Sequence, residues 1–175
     1  SKKTEQRGLR VDRFFTKDGV SAFDLFEYDS RTSVIKNPNG EKVFELNNVE
    51  VPKFWSQVAT DVLAQKYFRK AGVPMPDGTT GSENSIKQVA HRMAHCWKSW
   101  GEQYGYFASA EDANKFYDEL VFMIIGQYAA PNSPQWFNTG LHSSYGITGK
   151  PQGHYFVNPT TGKLEKSTSA YERPQ

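Results

Sequence analysis

The apolar positions of this chain change period along its length, and each change marks an element. Leu25, Phe26 and Tyr28 fall in one short run, Val34-Ile35 in a second and Val43-Phe44-Glu45-Leu46 in a third. Short runs bounded by turn residues predict strands. Asn37-Pro38-Asn39-Gly40 separates the last two. Asn39 or Gly40 can take positive φ, so a hairpin is predicted there. Pro52 suits the first turn of a helix. Trp55, Val58, Ala59, Val62, Leu63 and Tyr67 then recur at three- and four-residue steps, an apolar stripe.

Residues 71–82 carry Gly72, Pro74, Pro76, Gly78 and Gly81, which predict a flexible excursion. A long helix follows over about 83–104, striped by Ile86, Val89, Ala90, Met93, Trp97, Trp100 and Tyr104. Ser109 is placed to cap a third helix, with Asp112 three residues on in the manner of a capping box. Its stripe is Ala113, Phe116, Leu120, Met123, Ile124 and Tyr128, and residues 121–125 are apolar all round, which predicts burial on more than one side. Residues 153–157 and 163–166 flank Asn158-Pro159-Thr160-Thr161-Gly162 and predict a second hairpin. Helices of this length bury their stripes only against each other or against a sheet. The expected class is α+β, mainly helical with hairpins.

The 175 residues fit one domain or a piece of a larger one. A net charge of only +2 argues against a dedicated nucleic-acid surface. No run of about 18 apolar residues occurs, so no membrane span is expected. Ser1-Lys2-Lys3-Thr4-Glu5-Gln6-Arg7 lacks the apolar centre of a secretory signal, and residues 1 to about 13 are expected to be a mobile tail. One cysteine forms no internal disulfide, which suits a reducing cytoplasm. The start at Ser1 rather than Met, with an abrupt end at Arg173-Pro174-Gln175, suggests a trimmed piece or a processed fragment.

The densest candidate chemistry lies in residues 130–140. Pro131 and Pro134 bracket Asn132 and Ser133, so the backbone is stiff and cannot continue the preceding helix. A rigid turn exposing an amide, a hydroxyl and free N–H groups suits a polar ligand or a small anion. The plainer reading is a helix stop, with Asn132 in an Asx-type turn and Trp136 and Phe137 as core anchors. His91 and His95 share a helical face, but no third metal ligand follows and Arg92 stands where the zinc-protease motif needs Glu. They are expected to form a solvated polar flank, with no metal. Cys96, at the edge of the stripe, is expected to be inert packing.

Several ordered segments carry a resemblance. Asn132-Ser133-Pro134-Gln135-Trp136-Phe137-Asn138, then Pro151-Gln152-Gly153-His154-Tyr155-Phe156-Val157, resemble the N-terminal region of adenosylcobalamin-dependent class II ribonucleotide reductases. So do Val51-Pro52-Lys53-Phe54-Trp55-Ser56-Gln57, Lys66-Tyr67-Phe68-Arg69 and Gly105-Tyr106-Phe107-Ala108, and the likeness runs in order from roughly Phe14 to Gln175. The resemblance implies that residues 14–140 are an N-terminal domain packing on a ten-stranded α/β barrel that lies outside this chain. Residues 141–175 would lead into that barrel. Ser133 matches the family's hydroxyl residue in a substrate-contacting loop, and Asn132 stands beside it.

The family's thiyl, redox-pair and carboxylate residues match no position here, so the piece is expected to be inactive alone. The whole enzyme would use adenosylcobalamin, held mostly by residues outside this chain, to start thiyl-radical reduction of ribonucleotides, with diphosphates favoured. It would take electrons from a thioredoxin-type reductant and supply deoxynucleotides for DNA synthesis in the cytoplasm, with a homodimer allowed. The alternative is a non-catalytic helical interaction module whose Phe/Trp surface docks on a protein partner.

Overall fold

Residues 7–173 are described by a computed structural model. Tyr28–Lys36 (β1) and Lys42–Pro52 (β2) pair antiparallel, from Tyr28 opposite Pro52 to Ile35 opposite Phe44. The turn is the expected one: Gly40 lies at φ +86° and donates its N–H to Asn37 O. The first strand starts later than the apolar run predicts. Ala22–Leu25 is a 3-10 turn whose cap, Ser21 Oγ, accepts from the Phe23 N–H, and the Phe26 ring packs tilted against Phe122 instead of joining the ladder.

Pro52 closes β2 and does not open a helix. A strand terminus tolerates the missing N–H as well as a helix start does. The helix begins only after Ser56, whose Oγ accepts from the Ala59 N–H at 3.0 Å. It is short, Gln57–Val62 (α1), and Leu63–Tyr67 then winds one residue wider, with Phe68 N–H reaching Leu63 O at 3.0 Å. The expected stripe is already broken before that turn. Trp55 and Leu63 are buried, while Val58 is 72% exposed. The excursion at 71–82 is pinned in part: Val73–Pro74 (β3) pairs with Thr80–Gly81 (β4), and Val73 is buried.

The core is a helix pair under the first hairpin. Ile86–Gln103 (α2) starts at a full capping box, with Ser85 Oγ accepting from Lys87 N–H and Gln88 Oε1 from Ser85 N–H. Ala110–Ile125 (α3) starts at Ser109 as expected, and Ser109 Oγ accepts from the Asp112 N–H. Ile86, Val89, Ala90 and Met93 of α2 meet Val121, Ile124 and Ile125 of α3 and the fully buried Val49 and Val51 of β2. Trp55 joins them and gives its indole N–H to Ile125 O at 2.8 Å. Two short helices, Ser133–Asn138 (α4) and Leu141–Tyr145 (α5), lead to the second hairpin, Tyr155–Val157 (β5) with Leu164–Lys166 (β6). The periodicity predicted that hairpin but not α5, which is too short for an apolar period to register. Helices with small antiparallel sheets make this an α+β unit.

Residues 7–13 differ from the mobile tail expected over 1–13, and residues 1–6 lie outside the described residues. Leu9 bonds through its backbone to Tyr106 and Ala108, Val11 N–H reaches Asp112 Oδ1, and Arg13 pairs with Asp118. The start of α3 supplies acceptors that the charge pattern alone does not reveal. Next along, Phe15 and Thr16 give their N–H groups to the two carboxylate oxygens of Glu119. Burial pushes the Glu119 carboxyl up, but these bonds and the Thr16 hydroxyl outweigh it and hold the group below its ordinary value.

A carboxyl depressed on folding stabilises above its unfolded pKa, about 4.3 for Glu. That stability is lost as pH falls through the folded value. Urea unfolding of the chain between about pH 5 and pH 3 should therefore show a smaller loss for Glu119→Gln than for the unaltered chain. Parallel acid limbs for the two would contradict this assignment.

Candidate functional site

After α3 the chain reverses at Gln127, in left-handed conformation at φ +62°, and reaches Pro131 and Asn132. Asn132 precedes α4 with extended backbone, its carbonyl accepts from the Gln135 N–H, and its side chain makes no capping bond. Pro134 occupies the helix's first turn, where its missing N–H costs nothing. Ser133 is exposed, and its Oγ lies 3.1 Å from the Tyr67 hydroxyl. The Tyr67 ring stacks on Trp136 at 5.2 Å between centroids and lies 5.3 Å from Phe137. Trp136 is buried and gives its indole N–H to Pro131 O. Phe137 is 44% exposed, which corrects its assignment to the core. Neighbours on a helix lie about 100° apart, and one side of α4 cannot bury both.

What fixes this segment is Arg92. In the sequence it stood out only as the residue that breaks a zinc-protease motif, yet it is wholly buried, as is Glu83. Its guanidinium gives Nε to Glu83 Oε2 at 2.9 Å, Nη1 to Thr139 O at 2.8 Å and Nη2 to Trp136 O at 2.6 Å. Glu83 also accepts from the Arg69 N–H at 2.7 Å and the Tyr145 hydroxyl at 2.8 Å. Burial, then the Glu83 charge, raise the Tyr145 phenol well above its ordinary value. Gly140 sits at φ +85° directly on α2, where a Cβ would meet Arg92 O at 2.1 Å. The sequence held one signal for all this: Arg92 stands three residues after Val89 and four before Cys96, both buried.

His91 and His95 stack at 5.1 Å, and His91 Nδ1 lies 2.7 Å from the Tyr117 hydroxyl. Burial and the neighbouring His95 lower the His91 pKa, and burial pushes the Tyr117 phenol up to about 12. No cluster of three or more His, Cys, Asp or Glu placed to hold a metal occurs among the described residues. Cys96 is buried at 4% exposure, and burial raises its thiol pKa despite contacts from Ser143 and Gly140. No helix among the described residues is long and apolar enough to cross a membrane.

The site is thus a pair of hydroxyls, Ser133 and Tyr67, on a clamped turn. Tyr67 and Trp136 also wall an apolar hollow of about 290 Å³ with Trp55, Leu63, Ile124 and Ala130. Ser133 does not line this hollow; it touches the hydroxyl of the tyrosine that does. The pair can donate to and accept from a sugar or phosphate oxygen. It carries no thiol, carboxylate or imidazole. The sequence placed Tyr67 on the α1 stripe and did not show its contact with Ser133, although its segment carries part of the family likeness.

Comparison with known proteins gives the family. Residues 29–127 match the family described as class II vitamin B12-dependent ribonucleotide reductase. The chain is 51% identical to the vitamin B12-dependent ribonucleotide reductase of Bradyrhizobium diazoefficiens, over 95% of this chain and 16% of that protein. It is 48% identical to that of Agrobacterium fabrum, over 95% of this chain and 15% of that one. With Rhodopirellula baltica the identity is 35%, over 98% of this chain and 16% of the relative. The chain belongs to the class II vitamin B12-dependent ribonucleotide reductase family, as its N-terminal region. It spans about 15–16% of the length of these relatives.

Arg92→Met removes one partner of the buried pair and strands the Glu83 carboxylate. Denaturant unfolding of the chain should show a loss of about 3–5 kcal/mol. Arg92→Met with Glu83→Gln should recover part of it. A loss below about 1 kcal/mol in the single variant would show that the pair does not hold the segment.

Proposed function

We propose that this chain braces the catalytic barrel of a ribonucleotide reductase and presents the Ser133 turn to the ribonucleotide substrate. One observation carries the reading. The Ser133 hydroxyl is exposed beside the Tyr67 hydroxyl, on backbone that Arg92 holds through Trp136 O and Thr139 O. A preset pair of hydroxyls binds a sugar or phosphate oxygen without the cost of ordering a loop. Asn132, exposed and without a capping bond, adds an amide at the same turn. Family membership supports the enzyme reading and disfavours a stand-alone interaction module. The exposed Phe54, Val58 and Tyr128 are then surface for the rest of the reductase to cover.

Reduction at the ribose 2′ carbon needs a thiyl radical and a thiol pair, and in this reading both come from outside the chain. Cys96 fits neither role: it is buried, and its raised pKa leaves little thiolate. The adenosylcobalamin that starts the radical is likewise held mostly by residues outside this chain. In the proposed whole, a thioredoxin-type reductant restores the thiols, ribonucleoside diphosphates are the substrates, and the enzyme works in the cytoplasm, where a homodimer is its proposed form. This chain contributes position alone.

The test is Ser133→Ala in the full-length reductase, with equilibrium binding of a ribonucleoside diphosphate as the measurement. Loss of one hydrogen bond should weaken affinity by about 1 kcal/mol or somewhat more. Affinity equal to that of the unaltered enzyme would return Ser133 to scaffolding.

A further inference from the structure

The hollow of about 290 Å³ beside the Ser133 turn has no Lys, Arg, Asp or Glu in its lining. Its polar groups are mostly committed. Trp55 gives its indole N–H to Ile125 O at 2.8 Å, and Trp136 gives its own to Pro131 O at 2.6 Å. The Tyr67 hydroxyl meets Ser133 Oγ at 3.1 Å. Among the described residues, Gln127 is the one lining side chain whose polar group has no such partner, and it is exposed. A polar group entering the hollow would give up its water and find no new partner. An apolar group gains by leaving water and needs no partner. The volume is at the small end for ligand pockets, roughly 300–1,000 Å³, and suits an inserted side chain.

The apolar surface continues outside the hollow. Val62 lines it and is 36% exposed, and Val58, one turn earlier on the same face of α1, is 72% exposed. Phe54 and Tyr128 are 58% and 67% exposed. Phe54, Val58 and Tyr128 each adjoin a lining residue in the chain: Trp55, Ala59 and Gln127. Single exposed apolar residues need no explanation, but a group gathered round an apolar hollow marks a contact surface.

The size of the relatives indicates what covers it. This chain spans only 15–16% of the length of reductases to which it is 35–51% identical, so a much larger body belongs beside it. The hollow also shares its Tyr67 and Trp136 walls with the Ser133 turn, and those two rings stack on each other. Whatever faces that turn therefore lies next to the hollow.

We infer that the hollow is a socket for an apolar side chain carried by the barrel of the same reductase chain, packed against Trp55, Tyr67 and Trp136 when the two parts dock. The inference rests on the bracing role proposed above and names the contact that performs it. It also ties docking to the substrate turn. The occupant presses on the ring whose hydroxyl meets Ser133, and close-packed walls transmit such a contact.

The test is photo-cross-linking in the full-length reductase. The photoreactive residue p-benzoylphenylalanine is placed at Val62 in one variant and at Phe54, which does not line the hollow, in another. Mass spectrometry then identifies the linked peptides. The Val62 variant should link within one chain to an apolar residue beyond position 175, and the Phe54 variant to the same body. Ala59→Trp plugs the hollow, so it should abolish the Val62 link and keep the Phe54 link. Hydroxyl-radical footprinting of the unaltered enzyme, which needs no substitution, should leave Val62 unoxidised. Free oxidation of Val62, or a Val62 link made only to a charged segment or to a second copy of the chain, would overturn the socket. A Phe54 link to the barrel in that case leaves the bracing role standing. Links from neither position, together with free oxidation of Val62, would overturn both.

Discussion

Arg92 and Glu83 form a wholly buried ion pair, and distant stretches of chain are tied to it. The pair joins the middle of α2 to the residue preceding it by nine. Through further hydrogen bonds it also takes in Arg69, Trp136, Thr139 and Tyr145. Moving two charges out of water is costly, and only near-complete hydrogen bonding offsets it. Here both carboxylate oxygens and all three guanidinium nitrogens have partners. The pair therefore acts less as a source of stability than as a geometric specification. Trp136 O and Thr139 O must face α2, and α4 can sit in only one place. Gly140 completes the arrangement, because any side chain there would strike the backbone of α2 at Arg92.

The second constraint is the widened turn after α1. A regular helix would keep Leu63 and Tyr67 on one face. The wider Leu63–Tyr67 turn shifts that phase: Leu63 is fully in the core, and Tyr67 packs at its edge, where both line the same hollow. Tyr67 stacks on Trp136 with its hydroxyl at Ser133. A single backbone irregularity thus positions the hydroxyl pair and a wall of the apolar hollow together. Such wide turns often mark functional sites.

Much of the fold was legible in the chain. The Asn37-Pro38-Asn39-Gly40 hairpin, the α2 and α3 stripes, the Ser109 cap and the second hairpin rest on local rules, and the structure has each of them. The errors share a cause. Pro52, Leu25 and Phe26 suit more than one local conformation, and tertiary contacts chose among them. The tail at 7–13 looked mobile because its acceptors, Tyr106 O and Asp112, are about a hundred residues away. Ser133 and Asn132 were singled out through their segment's resemblance to a family, whereas the contact of Tyr67 with Ser133 was hidden by a helical period that the wide turn interrupts.

The sequence by itself determined the long helices, the two main hairpins, the α+β class and the family, because period, caps and turn residues act over a few positions and motifs are read in order. It did not determine what Arg92 does. A lone arginine within a helical pattern reads as solvated until a buried carboxylate is brought beside it, and Glu83 lies outside that helix. Only the tertiary structure decided that the charge would be buried, that α4 would hang from it, and that two hydroxyls 66 positions apart would meet. Those outcomes depend on which segments share a dehydrated space, and that is a property of the packed chain as a whole.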